Sequence, residues 1–396
     1  MDFGICKPVK LYGLAADPVE VYRTLRERHG PVVPVLLDGD VPAWLVLGYR
    51  EVCRVAGDAR TFARDCRRWN AWDRVPEDWP LMPHVGWTPS VVFAEGAEHR
   101  RRSGALGEAL DGVRRPEMAL ACRRIADGLI DGFAADGRAD LVDGYARPMS
   151  LLAVAWLLGL PDEDVPELAE EIDAARNVTG AVDSCKDAHR RMHARMQRLV
   201  GERRYRARDD VPSRLLAHPA GLTDEEAALD LLALLVSAHR PTADWIASAL
   251  RVVLAGGAFA GEPRGDGDAL REALWEDTPV QGVIGRWAVH DCVLGDRRIH
   301  RGDLLVLGLG AANADPHAQP DGAAPNRAHL SFGHGEHGCP PPAPELAEVV
   351  ARAAVAALPD RLADVRLAVP AADLEWRASP WTRGPAALPV EFTPEC

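Results

Sequence analysis

The stretch Phe332-Gly333-His334-Gly335-Glu336-His337-Gly338-Cys339 places a sulfur at the end of a glycine-rich turn, with a histidine two residues before it. Gly333, Gly335 and Gly338 let the backbone take positive φ and approach a flat ligand closely. Helical periodicity over Pro342–Leu358 sets Cys339 near an expected helix N-terminus, whose N–H groups and dipole favour thiolate over thiol. A thiolate on a rigid loop is a metal ligand or a nucleophile, and no second cysteine is close enough to make a zinc site.

The pattern Phe-Gly-x-Gly-x-His-x-Cys resembles the haem-binding loop of the cytochrome P450 superfamily, in which the cysteine is the axial ligand of the haem iron. The alternative is a glycine turn around an ordinary buried cysteine. The resemblance implies a single domain over residues 1–396, mainly α with small β regions. One haem b lies between a long central helix and the loop carrying Cys339, its metal ligand. Phe332, Gly333 and Gly335 then border the haem, with the glycines leaving room for it, and His99, Arg286 and His337 bind its propionates.

Composition sets the bounds. The 396 residues carry a formal charge of −13, which argues against nucleic acid as a partner. The longest apolar run, Leu151–Leu160, is too short to span a bilayer, and the first residues show no apolar signal segment. Cys6, Cys53, Cys66, Cys122, Cys185, Cys292, Cys339 and Cys396 form no CxxC pair and read as reduced thiols. A cytoplasmic protein without a membrane partner is expected.

Asp17–His29 has helical spacing, and Pro31–Leu37 with Ala43–Leu47 reads as a hairpin. Arg64–Val92 holds Trp69, Trp72, Trp79 and Trp87 without a clean period. Its tryptophans, Trp87 among them, are either a substrate-facing wall or anchors pinning a loop. Periodicity restarts at Glu95–Leu110. In the resemblance a basic residue stands four places after His99; here that place is Ser103, leaving Arg102 to substitute or to face solvent. Pro116 to about Arg208 is helix-compatible, broken at Asp136-Gly137, Asp143-Gly144, Gly159–Asp162 and Val178-Thr179-Gly180.

Thr223-Asp224-Glu225-Glu226 is a capping box that should open a buried helix reaching about Gly256. The resemblance expects an acid and then a threonine in mid-helix, delivering protons for dioxygen activation. This chain has Arg240 and Pro241 there, with Thr242 one place late, about 100° further round. The Arg-Pro pair resembles a fatty-acid peroxygenase branch, in which the arginine grips the substrate carboxylate. Arg240 is therefore either an anion clamp or the partner of a structural carboxylate, with Pro241 kinking the helix. Arg240 and Thr242 are the candidate catalytic residues. Trp87, Ala238, Arg240, Val280 and Ile284 are the candidate pocket.

Asp268–Glu276 matches the helix carrying a Glu-x-x-Arg pair in the family, but Trp275 follows Glu272, and Arg327 is the expected replacement partner. Beyond Cys339, residues 363–396 return to strand-like segments, with Ser379-Pro380-Trp381 expected as a turn near substrate. The resemblance implies oxidative tailoring of a small-molecule metabolite, carboxylate-bearing if Arg240 is a clamp. Ferredoxin or a similar donor would supply electrons; the other readings are peroxide-driven chemistry, cleavage of a pre-activated N–O or O–O bond, and a non-catalytic haem-binding helper.

Overall fold

The longest helix, Asp224–Ala255, begins at the expected capping box: Glu226 N–H donates to Thr223 Oγ1 at 3.2 Å, and Thr223 N–H to the Glu226 carboxylate at 2.9 Å. From residue 239 to 254 nearly every side chain is buried, because other helices pack against it on all sides. These are Arg147–Leu158, Val182–Tyr205, Asp266–Glu276 and Ala343–Arg361. The structure, a computed structural model, describes residues 7–11, 18–176, 182–256, 266–318 and 326–394. The expected break at Val178-Thr179-Gly180 lies outside them, as do Cys6 and Cys396.

The helical half shares one apolar core, including Leu106, Ile130, Tyr145, Leu158, Met196, Leu231, Leu250 and Val355. Two of the expected breaks hold: Gly137 and Gly159 both take left-handed φ, +68° and +64°. Asp143-Gly144 is not a break. It sits in a π-helical turn, Val142–Ala146, that runs straight into Arg147–Leu158. Among the described residues no helix is long and apolar enough to cross a membrane.

The β half is built on six strands lying side by side in the order Val9–Lys10, Val32–Leu37, Val41–Val46, Leu304–Gly308, Gly282–Ala288 and Phe62–Ala63. The expected hairpin pairs Val32 with Val46 and Leu37 with Val41. Gly39 turns it at φ +70°, where a Cβ would come within 2.9 Å of Pro76. Both faces of this sheet are covered, so its strands read as apolar runs rather than alternating ones. Strands Ala363–Leu367 and Pro389–Thr393 pair antiparallel, with Arg138–Asp140 as a third member.

The tryptophan-rich segment is a chain of short turns pinned to the sheet. Trp69 and Trp79 are buried, the Trp69 ring centroid lies 5.6 Å from that of Trp79 and 6.2 Å from that of Trp287, and Trp79 Nε1 donates to Asp38 O at 2.8 Å. Aromatic rings dominate such contacts because each removes a large apolar area from water. Anchoring is what these side chains do. Trp87 lies at the surface under the Arg67 guanidinium, 4.7 Å from its ring, and does not reach the interior cavity.

Candidate active site

Cys339 closes a tight loop: its N–H donates to Phe332 O at 2.8 Å, Gly338 N–H to Gly335 O at 3.0 Å, and Gly333 N–H to Leu330 O at 2.8 Å. Gly333 and Gly335 take φ of +76° and +71°, as expected, whereas Gly338 does not need positive φ. The glycines make room for protein as well as for the loop's own turn. A Cβ on Gly335 would stand 2.2 Å from Ala56 O, and one on Gly333 would stand 3.1 Å from the Gly338 Cα. They seat the loop on the helix Tyr49–Gly57 and on itself.

The downstream helix starts at Ala343, beyond Pro340-Pro341-Pro342, and not directly at Cys339. Burial pushes the thiol up to about 11. The Cys339 side chain is exposed on the wall of a cavity of about 340 Å³. A thiol in such surroundings ionises only against a cation, and a metal bound there would supply it. Among the described residues no three His, Cys, Asp or Glu side chains converge as a metal cluster, so a metal at Cys339 would have one protein ligand.

The cavity runs from the Cys339 loop to the central helix. Its helix wall is Leu234, Ser237, Ala238, Pro241, Thr242 and Trp245. Those positions follow i, i+3, i+4, i+7, i+8, i+11, one stripe of an α-helix. Val280 and Val283 close another side, together with Val91 and Val92, while Phe332 packs edge-on against Trp245 at 5.7 Å. Ala238, Thr242, Val280 and Phe332 thus meet as expected. Ile284 does not: it points into the sheet core, and its neighbour Val283 takes the wall position. The Ser379-Pro380-Trp381 turn packs on the sheet at Gly282 and is likewise off the wall.

Arg240, a pocket candidate, is off this wall. Two places past Ala238, it falls about 200° round the helix from that residue and outside the stripe. Its guanidinium is buried with Nε 3.5 Å from Asp244 and Nη1 3.9 Å from Asp173, and it is not part of the cavity lining. Asp244 also accepts from Arg377 at 2.7 Å. The structural-carboxylate reading of Arg240 is the one that this geometry supports.

At the other end the cavity collects basic side chains. His99 and His337 stand ring to ring at 4.0 Å, and Arg286 and Arg64 line the same end. His99 Nδ1 is buried without a partner among the described residues. Arg286 is buried, and among the described residues it donates only to Gly285 O, at 3.3 Å. Burial, and then the neighbouring Arg64, hold the Arg286 pKa well below its ordinary value; burial and Arg286 do the same to His337. Glu336 is the one acid in the lining, and its carboxylate lies toward Arg100 at 3.7 Å. Buried donors without an acceptor fit a ligand bearing carboxylates, as the two propionates of haem would be. The residues present therefore fit haem at both ends, through the sulfur and through the basic side chains.

Arg64 escaped the sequence reading. It opens an irregular segment, and nothing local distinguishes it from Arg67 or Arg68. Its long-range bonds to Ile284 O at 3.0 Å and Gly285 O at 2.6 Å bring it to the site. Arg102 neither binds at this cluster nor faces solvent: it is buried against Asp230 of the central helix, with Nε at 2.9 Å and Nη2 at 2.5 Å from the carboxylate. Trp275, standing where an arginine was expected, donates its indole N–H to Asn326 O at 2.9 Å. That bond ties its helix to the segment before the loop, while Arg327 is exposed and forms no ion pair with Glu272 among the described residues.

No family model matches the chain. Individual proteins do, over nearly their whole length. Cytochrome P450 105C1 of a Streptomyces species is 30% identical over 385 residues, 95% of each chain. Cytochrome P450 monooxygenase PikC of Streptomyces venezuelae is 30% identical over 397 residues, 96% of this chain and 92% of its own. Among solved structures, CYP154C4 from Streptomyces sp. W2061 superposes with a TM-score of 0.85 at 27% identity, covering 97% of each chain. Likeness of this extent, on a fold whose interior cavity ends at a lone cysteine, makes the protein a haem-thiolate oxidoreductase. It belongs to the cytochrome P450 superfamily.

Proposed function

We propose that the protein is a haem b monooxygenase that tailors a neutral, mainly apolar small molecule, drawing electrons from an external donor of the ferredoxin kind. The observation that carries this reading is the central-helix stripe: Ser237, Ala238, Pro241 and Thr242 face the cavity, whereas Arg240 is turned to Asp173 and Asp244. Away from the propionate end, no charged side chain lines the cavity among the described residues. A substrate carboxylate buried there would lack a counter-charge, at a cost of several kcal/mol.

Cys339 would hold the haem iron, with His99, Arg286, His337 and Arg64 at the propionates and Phe332 against the ring. When bound, haem supplies an iron centre made electron-rich by the thiolate, which favours O–O cleavage. The chain's own contribution is enclosure and proton supply. Valines from two segments and Leu234 exclude water from the substrate side. Pro241 has no N–H, so the Ser237 carbonyl loses its helical donor and is left to accept from water or a substrate hydroxyl. The Thr242 hydroxyl, on the same stripe, can hold that water and pass on a proton in place of the absent acid–threonine pair.

Binding of matched neutral and carboxylate-bearing ligands, followed by the haem absorbance of the ferric protein, tests the reading. The neutral member of each pair should bind at least about tenfold tighter. A single-turnover comparison then sets hydrogen peroxide alone against an electron donor with dioxygen. Preference for the carboxylates, with product from peroxide alone, would replace this reading with the peroxygenase one.

A further inference from the structure

The central-helix stripe does not end at the cavity. One turn before Leu234 it reaches Asp230, which is wholly buried and carries a side chain of the opposite chemical kind. Arg102, from the helix Gly96–Asp111, meets its carboxylate with two nitrogens, the fork-on-fork arrangement that fixes direction as well as distance. The pair has a third member. Val91 N–H donates to Asp230 Oδ1 at 2.7 Å, and Arg102 Nη1 donates to Pro89 O at 2.8 Å. Next along the chain, Val92 O accepts from Arg64 Nε at 3.1 Å. The backbone of residues 89–92 is therefore bound from two sides by buried cations and one buried anion. Val91 and Val92 are the part of this irregular segment that lines the cavity.

We propose that Arg102 and Asp230 are positioning residues for substrate selection: their ion pair sets how far Val91 and Val92 reach into the cavity, and so the size of the molecule accepted. The proposal rests on the haem reading of the cavity and goes beyond it. A buried ion pair returns little net stability compared with apolar side chains of like volume, so stability alone gives no reason for one here. What a carboxylate offers that leucine does not is a directional acceptor for the Val91 N–H. Ser103, the next residue, lines the cavity uncharged; Arg102, about 100° round the helix, is the one aimed at Asp230.

The test uses the ferric holoenzyme and two azole probes, imidazole and 4-phenylimidazole, whose binding at iron is read from the haem absorbance. Imidazole is the smaller probe, and the phenyl ring of 4-phenylimidazole fills more of the cavity. The variant Arg102→Met/Asp230→Leu removes both charges together, so no unpaired ion is left buried. Its imidazole affinity should stay within about twofold of wild type, and its 4-phenylimidazole affinity should fall roughly tenfold, the size of a lost close apolar contact. The variant Arg102→Met/Asp230→Asn keeps an oxygen acceptor for Val91 N–H but has no ion pair, and should recover only part of that loss. A ratio of the two affinities that is unchanged in both variants overturns the proposal. So does a Val91 amide in wild type that exchanges with deuterium at its unprotected rate rather than at least about tenfold slower, a measurement that needs no variant. No absorbance change with imidazole in wild type would overturn the haem reading instead.

Discussion

Replacing Arg240 with alanine separates an anion clamp from a structural ion pair, because the two roles predict losses in different quantities. Removing one partner of a fully buried pair costs about 3–5 kcal/mol. Three features of this site lower that figure. The contacts to Asp244 and Asp173, at 3.5 and 3.9 Å, are longer than charge-assisted hydrogen bonds. Asp244 keeps Arg377 at 2.7 Å, and the Asp173 side chain is 52% exposed and bonded also to Arg147. The remaining cost is about 1–2 kcal/mol, which for a chain of this length lowers the melting temperature by roughly 1–3 °C. Affinities for neutral and carboxylate-bearing ligands alike should change less than about twofold, since the guanidinium does not border the cavity. Thermal unfolding and haem-absorbance titration of the holoenzyme measure both. A loss of tenfold or more for carboxylate ligands alone, with the melting temperature unmoved, would refute the structural assignment and restore the clamp.

Two further outcomes follow from the geometry of the site. Gly335→Ala combines a left-handed φ of +71° with a Cβ 2.2 Å from Ala56 O; the strain, about 1–2 kcal/mol before any clash, should lower haem occupancy in the purified protein, whereas Gly104→Ala, in open space, should not. Arg286→Ala removes a buried donor aimed at the propionate end and should speed haem loss to an apo-globin acceptor roughly tenfold or more, as expected for a charged hydrogen bond of about 1.5–3 kcal/mol.

Features governed by near neighbours in the chain were legible from the residues alone. The Cys339 loop, the left-handed glycines at 333 and 335, and the capping box at Thr223 and Glu226 are closed by bonds within a few residues. Their geometry follows from local sterics and hydrogen bonding. The cavity stripe from Leu234 to Trp245 was present in the sequence as a helical period, and that period already placed Arg240 off it.

What tertiary structure alone decided is which distant groups meet. Asp230 and Arg102 are separated by 128 positions, Arg64 and Ile284 by 220, and no local pattern encodes either pairing. Burial then settled the chemistry: it pushed the Cys339 thiol up, and left His99 Nδ1 without a partner among the described residues at the cavity's basic end. Trp275 makes the same point, since only the folded chain brings Asn326 O within 2.9 Å of its indole. Sequence determines which groups can ionise, bond or turn. Packing determines which of them lose water together, and that loss gives each its partner.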